Sequence, residues 1–433
     1  MNRILKYYVD TLIQTGDFTI IDADGVRHNW GDHTGTPVAI RFNSRKAERA
    51  VALNPSLKFG EIFMNGEADV LEGSVYDVLA VIFRNAGNYA TSRRWMRAIE
   101  KMRHVARRIV QYNTPTRARS NVKHHYDLSG ALYDLFLDED RQYSCAYFER
   151  PDATLEEAQL AKKRHIAAKL HVDREDMRVL DIGCGWGGMG LYLARNLGAD
   201  VVGVTLSDEQ LAIARQRAAE AGLAERTDFR LQDYRRTEGP FDRIVSVGMF
   251  EHVGVGFYDA FFAHCAEILK EDGVMLLHTI GRYDPPGNTN SFIQKYIFPG
   301  GYIPSLSEVM AAAERSGLII SDVEILRTHY AETLKHWRER FLSRRDEAKA
   351  LYDERFCRMW EFYLAASETA FRWQNLVVFQ LQFVKRLDAL PIVRGYMGAE
   401  EERLRTLDQR ACRAVAGRKE PAAAELAGRE AAE

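Results

Sequence analysis

The chain has 433 residues, of which 46% are hydrophobic and 28% charged, a composition ordinary for globular proteins and unlike that of disordered or fibrous chains. At roughly 150 residues per domain, this length predicts two or three domains. The 59 lysines and arginines nearly balance the 61 aspartates and glutamates, which gives a net charge of -2. The overall charge therefore offers no support for nucleic-acid binding, and an electrostatic partner must be bound by a local patch.

The cysteines and the N-terminal segment indicate the compartment. The five scattered cysteines form neither the CxxC pairs of a zinc site nor a disulfide scaffold, which favours a reducing cytoplasm. Lys6 and Asp10 interrupt the N-terminal segment, so it lacks the apolar core of a secretory signal. No stretch approaches the roughly 18 uninterrupted apolar residues that span a bilayer. We expect a cytoplasmic protein without a metal site that meets a membrane only from its surface.

Residues 1–90 predict a small mixed α/β domain. Strand-like runs, FTIIDADG and TPVAIRF, precede KFGEIFMNGEADVLEG and the apolar run VYDVLAVIF.

Residues 91–125 form a basic connector. Between residues 92 and 125, ten lysines or arginines stand against one acid, Glu100. Five apolar residues recur at steps of three and four, which places them on one face of a helix. They are Trp95, Ile99, Met102, Val105 and Ile109. A basic amphipathic helix of this kind can dock on an anionic membrane, but a helix packed on its neighbour with solvated charges fits the pattern equally well.

From about residue 175 to 390, strands alternate with helices. Six runs rich in Val, Ile and Leu predict strands: MRVLDIG, DVVGVTL, TDFRLQD, DRIVSVG, GVMLLHTI and LIISDVEIL. The alternation predicts a mainly parallel sheet with helices on both faces. A final run, NLVVFQLQFVKR, is predicted to add an edge strand. Residues 399–433, rich in Ala, Glu and Arg, predict a charged, flexible tail.

The strongest local motif is LDIGCGWGG, residues 180–188, where a buried strand turns into a helix. Gly183, Gly185 and Gly187 allow a sharp turn and let a ligand approach the backbone. The loop also satisfies the GxGxxG pattern of dinucleotide binding, and a tight turn without any ligand is a third interpretation. The motif alone does not identify the cofactor.

Two neighbouring residues favour S-adenosylmethionine over NAD. A dinucleotide site needs an acid about 20 residues further on to bind the ribose hydroxyls, and Thr205 occupies that place. Asp181 precedes the first glycine by two residues, where its carboxylate can receive the ammonium group of a ligand that carries an amino acid.

Eight motifs appear in order between residues 121 and 395: HYDLS, QYSCAYFE, LDIGCGWGG, GVTLSDEQ, LQDY, DRIVSVGMFEHVG, LLHTIG and THYAETLKHW. Together they resemble the cyclopropane fatty acid synthases, including the mycolic acid cyclopropane synthases. The resemblance implies a Rossmann-like class I S-adenosylmethionine methyltransferase fold, with a mainly parallel seven-stranded sheet in a catalytic domain over residues 126–398. It also implies that residues 1–90 are a small accessory domain that interacts with lipid.

The implied activity is transfer of a methylene group to the cis double bond of an unsaturated acyl chain in a membrane phospholipid, which forms a cyclopropane. The enzyme would lie at the inner face of the cell membrane and bind no nucleic acid, and a homodimer is possible. The implied base is a bicarbonate ion. The positions that match the family's bicarbonate set are Cys145, Glu251, His278, Ile280 and Tyr330.

Glu251 and His278 are predicted to follow the fourth and fifth strands, at the carboxyl edge of the sheet where ligands bind. Each matched residue also fits a structural role, such as a helix cap, a core tyrosine or a small buried thiol. The order of the motifs favours the functional interpretation. One position departs from the family: Ser367 stands where many members carry a cysteine proposed as a nucleophile, and a serine without a nearby base is a poor nucleophile.

The resemblance also assigns cofactor contacts besides the glycine loop. Asp233 is expected to accept the adenine amino group, and Tyr234 to present its ring to the adenine face. The other assigned residues are Tyr143, Ser144, Thr205, Leu206 and Gln210.

Other functions stay open at this stage. A related enzyme would methylate the lipid without ring closure and leave a methyl or methylene branch, because the product depends on which proton the base removes. From a different class, the chain fits a non-catalytic lipid-binding module with a degenerate methyltransferase fold. An NAD-dependent lipid oxidoreductase is disfavoured by Thr205.

Overall fold

The computed structural model of the protein describes residues 1–86 and 129–410. The predicted basic connector at 91–125 and the last part of the predicted tail, 411–433, lie outside these described residues. The strands form two separate sheets, one of four strands and one of seven.

The four-stranded sheet belongs to a small N-terminal domain, as predicted. Its strands lie in the order β2-β1-β3-β4, with β1 and β3 parallel and the other pairs antiparallel. Phe18, Ile40 and Val78 are among the residues that form its own hydrophobic core. The elements are α1 (Arg3–Leu12), β1 (Asp17–Ile21), β2 (Arg27–Trp30), β3 (Pro37–Phe42), α2 (Arg45–Leu53), α3 (Pro55–Met64), β4 (Ala68–Glu72) and α4 (Val75–Ala86).

The seven-stranded sheet and its helices form the second domain. Its first half contains α5 (Gly130–Tyr133), α6 (Leu155–Leu170), β5 (Arg178–Ile182), α7 (Gly188–Leu197), β6 (Asp200–Thr205), α8 (Asp208–Glu220), β7 (Thr227–Leu231) and β8 (Phe241–Val247). Its second half contains α9 (Tyr258–Ile268), β9 (Leu269–Arg282), α10 (Leu306–Arg315), β10 (Ile319–Ile325), α11 (His329–Ser343), α12 (Arg345–Leu351), α13 (Glu354–Trp373), β11 (Leu376–Val384) and the helix α14 over residues 396–410.

The strand order is β10-β11-β9-β8-β5-β6-β7, and β5 to β9 are parallel. All six predicted strands are present. The prediction that residues 375–386 add an edge strand is wrong, because β11 lies antiparallel between β9 and β10. Residues on both of its faces are buried, Phe379 and Gln380 among them. A run that is apolar on both faces is typical of an interior strand.

Helices cover both faces of this sheet. Leu180 and Leu277 pack with α9 and α10 on one face, whereas Val179 and Leu276 pack with α6, α7 and α14 on the other. Among the described residues, none of the helices combines the length and the apolar composition that a membrane crossing requires.

Helix α6 is nearly all buried although it carries many basic side chains. Arg164 forms ion pairs with Asp408 at 2.6 Å and Glu149 at 2.8 Å, and His165 lies between Glu324 and Glu401. The buried basic residues are Lys162, Lys163, Arg164, His165 and Lys169.

The acids at 401 and 408 belong to α14, so the predicted flexible tail begins too early. Residues 399–410 form an ordered helix because Leu404 packs into the core and Asp408 pairs with a buried arginine.

Candidate active site

The glycine loop joins β5 to α7 as the sequence predicts. Gly183, Gly185 and Gly187 all have positive φ, at 80°, 54° and 82°. A Cβ on Gly187 would lie 2.9 Å from the ring of Phe229, so this glycine permits the packing of helix α7. Gly187 does not line the cavity above the loop. Its packing against Phe229 gives this glycine a structural role, and its contact with the cofactor stays a prediction.

A cavity lies at the carboxyl edge of the sheet, above the glycine loop. Its walls come from the segment 141–144 and from the residues that follow β6, β7 and β8. Every other predicted cofactor residue lines it: Tyr143, Ser144, Asp181, Gly183, Gly185, Thr205, Leu206, Gln210, Asp233 and Tyr234.

Asp181 is the carboxylate best suited to a cationic ligand group. It is 2% exposed, and its Oδ2 has no hydrogen-bond partner among the described residues. Burial raises the pKa of Asp181 to about 7, since a buried carboxylate favours its neutral form unless a cation compensates it. An ammonium group is a donor that would satisfy this oxygen, so the residues present fit S-adenosylmethionine.

Thr205 and Gln210 replace the acid of a dinucleotide site. The Thr205 hydroxyl donates to Gln210 Oε1 at 2.9 Å and accepts from the Ser207 amide at 3.2 Å. Both side chains are buried on the cavity wall. This wall therefore presents neutral polar groups to a ligand.

Asp233 is already held by its neighbour Arg235. Its carboxylate accepts from the Arg235 amide at 3.0 Å and from the guanidinium at 2.6 and 2.9 Å. Burial opposes its ionisation, but the bonds from Arg235 outweigh burial and keep the pKa of Asp233 below its ordinary value. Tyr234 packs its ring edge-on against Phe261, with centroids 5.4 Å apart.

Glu251 lies in the short turn after β8, close to the predicted position. Its Oε1 accepts from the Ile280 amide at 2.6 Å, whereas Oε2 is buried with no hydrogen-bond partner among the described residues. Burial raises the pKa of Glu251 to about 7. Two residues of the predicted bicarbonate set, Glu251 and Ile280, are therefore in direct contact through a hydrogen bond from the Ile280 amide.

His278 lies within β9, and the prediction that it follows this strand is wrong, because β9 continues to Arg282. The side chain is 2% exposed. Burial lowers the pKa of His278 well below its ordinary value, so the imidazole is neutral. Because side chains alternate along a strand, His278 and Ile280 share one face of the sheet.

Cys145 and Tyr330 lie in one apolar cluster, and Ile280 packs against it. Burial raises the pKa of the Cys145 thiol, which donates to the Ala146 carbonyl at 3.3 Å. The ring of Tyr330 packs against Phe371 at 4.8 Å. This cluster forms a dry region beside Glu251.

Several residues of the site were missed by the sequence analysis. Lys162 on α6 is 1% exposed and donates to Gln142 Oε1 at 2.5 Å and to Ser144 Oγ at 2.9 Å. No local pattern distinguishes this lysine from its neighbours, since its partners lie about 20 residues away. Other lining residues stand inside the quoted motifs and were passed over: Gln142, Trp186, Gln232, Met249 and His252.

Ser367 lies half-buried on α13 and does not line the cavity. His264 Nε2 donates to the Tyr234 carbonyl at 2.9 Å and lies 3.2 Å from the Thr237 hydroxyl, which gives this histidine a structural role. Among the described residues, no group of histidines, cysteines and acids is arranged to hold a metal ion.

The parallel sheet with one antiparallel strand, the glycine loop and the cavity above it define a class I S-adenosylmethionine-dependent methyltransferase. Residues 113–381 match the family model described as mycolic acid cyclopropane synthetase, and the chain belongs to this family. Residues 12–94 match a model described as a domain of unknown function. The family resemblance drawn from the motifs is confirmed.

Curated relatives and a solved structure agree with this assignment. The chain is 38% identical over 354 residues to the cyclopropane-fatty-acyl-phospholipid synthase of Escherichia coli strain K12, with 81% of this chain and 89% of that protein covered. It is 38% identical over 397 residues to the tuberculostearic acid methyltransferase UfaA1 of Mycobacterium tuberculosis, with 89% and 90% covered. The structure of mycolic acid cyclopropane synthase CmaA1 complexed with SAH and CTAB superposes with a TM-score of 0.58 at 38% identity, covering 61% of this chain and 97% of that one.

Proposed function

We propose that the protein transfers a methylene group from S-adenosylmethionine to the cis double bond of an unsaturated acyl chain in a membrane phospholipid and forms a cyclopropane. The observation that carries the proposal is the juxtaposition, at one sheet edge, of a polar cavity and an apolar cluster that share Tyr143 and Trp186. Glu251 lies at the border of this cluster, where it accepts from the amide of Ile280. The similarity to a cyclopropane-fatty-acyl-phospholipid synthase over 81% of the chain supports it.

The polar cavity binds the cofactor, which supplies an electrophilic methyl group. Asp181 receives its ammonium group, and the open space beside Gly185 lets the ligand approach the backbone. Thr205 and Gln210 offer neutral hydrogen-bonding groups to the ribose hydroxyls. The ring of Tyr234, fixed against Phe261, offers an apolar face to the adenine.

The dry cluster receives the acyl chain and excludes water from the reacting carbons. Its rings and aliphatic groups offer the double bond an apolar surface that does not compete for the electrophilic methyl. The Cys145 thiol stays protonated because burial raises its pKa, so it is not a nucleophile here.

A bicarbonate ion is the proposed proton acceptor. The fit rests on Glu251, whose buried Oε2 lacks a partner among the described residues and can orient the bicarbonate hydroxyl. Neutral His278 and the Tyr330 hydroxyl are the proposed donors to the anion. If bicarbonate is the acceptor, activity falls in degassed buffer and recovers when bicarbonate is added.

Methyl-labelled S-adenosylmethionine and vesicles that contain an unsaturated phospholipid test the function directly. We expect label in the acyl chain, with a product that resists ozonolysis, as a cyclopropane ring does. Vesicles of saturated phospholipid are the control. Absence of label from the unsaturated lipid would contradict the proposal.

Branch methylation is the second candidate, supported by the 38% identity to a tuberculostearic acid methyltransferase over 89% of this chain. A methylene branch is cleaved by ozonolysis, and a saturated methyl branch differs from the ring in mass. The labelled product therefore separates the two candidates.

Docking on an anionic membrane through residues 92–112 is also proposed, from the sequence alone. Each cation near an anionic surface contributes on the order of 1 kcal/mol, which salt screens. Reversal of Arg93, Arg97, Lys101 and Arg107 to Glu is expected to abolish sedimentation with anionic vesicles while sparing cofactor binding.

A matched control places four reversals at exposed catalytic-domain positions: Arg195, Arg315, Lys349 and Arg403. This control is expected to sediment like wild type. Equal vesicle binding by the connector variant and wild type at low salt would place the docking surface elsewhere, with the N-terminal domain the next surface to test.

A further inference from the structure

Gln380 faces His278 directly across the β11–β9 pair. The two residues are register partners, and they are 0% and 2% exposed. Gln380 Nε2 lies 3.2 Å from His278 Nδ1. Within the described part of the chain this is the only hydrogen bond of the Gln380 side chain, whose Oε1 has no partner.

This contact selects one form of the imidazole ring. The Gln380 amide is oriented with its nitrogen toward the ring, and because an amide nitrogen donates and does not accept, His278 Nδ1 is the acceptor in this orientation. A neutral imidazole carries one N–H group, which then lies on Nε2. The ring stays neutral because burial, and then the positive charges of Lys162, Lys169 and His165, lower the pKa of His278, with the charge of Glu324 opposing them in part.

We propose that Gln380 is a positioning residue that holds His278 as its Nε2–H tautomer, so that the ring presents a hydrogen-bond donor to the proton-accepting anion. This inference rests on the function proposed for His278. It concerns a residue on the last strand of the fold, about 100 positions along the chain from the histidine.

Gln382 provides a matched control on the same strand and face. It is 1% exposed, but it donates to the Lys169 carbonyl at 2.5 Å and accepts from Ser321 Oγ at 2.9 Å. Gln382 therefore connects β11 to α6 and β10 without contacting His278. Its replacement by leucine removes buried hydrogen bonds of the same kind and leaves the tautomer unchanged.

Gln380→Glu tests the proposal through the pH profile. A carboxylate opposite Nδ1 accepts a proton from it, so a neutral His278 ring would carry N–H on Nδ1 and none on Nε2. At low pH the pair of introduced carboxylate and His278 binds one more proton. Nδ1 is then bonded to the carboxyl group and Nε2 again carries an N–H group. We therefore expect the activity of this variant, relative to wild type, to be highest at low pH and to fall as pH rises through the apparent pKa of this carboxylate–imidazole pair.

Gln380→Leu removes the donor without adding a charge. We expect roughly a tenfold or larger loss of turnover, a higher KM for bicarbonate and an unchanged Kd for S-adenosylmethionine. Gln382→Leu is expected to keep the wild-type pH profile even if its unfolding temperature falls. A Gln380→Glu profile parallel to wild type would overturn the proposal.

Nitrogen NMR of histidine-labelled protein separates this inference from the proposed function. With the His278 signals assigned from the spectrum of His278→Asn, we expect a protonated Nε2 and a bare Nδ1 in wild type, and the reverse in Gln380→Glu at high pH. A wild-type ring protonated on Nδ1 would refute the role of Gln380. Full activity of His278→Ala would refute the function of His278 and leave the tautomer measurement intact.

Discussion

The two halves of the site differ in the groups that line them. In the cofactor cavity, Arg235 keeps Asp233 ionised, and Asp181, whose pKa burial raises to about 7, gains a counter-charge only from a bound cation. In the dry cluster and at its border, burial keeps Glu251, His278 and the Cys145 thiol in their neutral forms over much of the pH range. Both halves occupy the same sheet edge, so the difference comes from their lining and not from the fold.

This contrast explains how one site can hold a charged cofactor beside an apolar acyl chain. A neutral lining offers the electrophilic methyl no competing anionic side chain, so a small mobile anion can serve as the base. The predictions below test the division, from the largest expected effect to the smallest.

The largest expected effect is on turnover, which should fall without a change in cofactor affinity. We expect His278→Ala, Glu251→Gln and Tyr330→Phe each to lower turnover by about 10² to 10⁴, the usual range for a positioned acid or base. The Kd of S-adenosylmethionine, measured by calorimetry, should hardly change, because these residues belong to the dry half. Wild-type turnover by the Glu251 and His278 variants would remove them from the mechanism.

The neutral state of Glu251 predicts a pH-dependent effect on stability. Its pKa rises from an ordinary 4.5 to about 7 on folding, so ionisation destabilises the folded protein as pH rises through this window. Glu251→Gln should raise the free energy of unfolding by up to about 3 kcal/mol at pH 8, with no gain below pH 4. Denaturant unfolding at both pH values measures this, and an equal gain at each pH would contradict the ionisation argument.

Asp181 tests the cofactor half. We expect Asp181→Asn to weaken S-adenosylmethionine binding by about 10- to 100-fold, because a hydrogen bond to a charged group contributes roughly 1.5–3 kcal/mol. Turnover at saturating cofactor should stay within a few-fold of wild type. A large loss of turnover with unchanged affinity would show that Asp181 takes part in the reaction, and it would contradict the separation of cofactor binding from catalysis.

Ser367 should have the smallest effect. Ser367→Ala is expected to keep most of the activity, since a serine without a neighbouring base is a poor nucleophile. The assay is the same as for His278→Ala, and a comparable loss in both variants would show that the serine takes part in the reaction.

The part of the site that could be predicted from sequence is the part built by adjacent residues. The glycine loop and the six strands carry local signals, because periodicity and glycine placement act within a few residues. The interior position of β11, the pairing of Gln380 with His278 and the burial of Lys162 depend on contacts between residues about 20 to 100 positions apart. Apolar residues on both faces of β11 were the one local sign of its interior position.

The buried basic side chains of helix α6 determine when the catalytic domain can finish folding during synthesis. Arg164 and His165 are buried, and one partner of each, Asp408 or Glu401, belongs to α14 at the end of the described chain. Removing a partner from a buried ion pair costs about 3–5 kcal/mol. A nascent chain that stops before residue 396 therefore holds a catalytic sheet whose covering helix lacks two of its counter-charges, and the methyltransferase domain reaches its full stability only once helix α14 has left the ribosome.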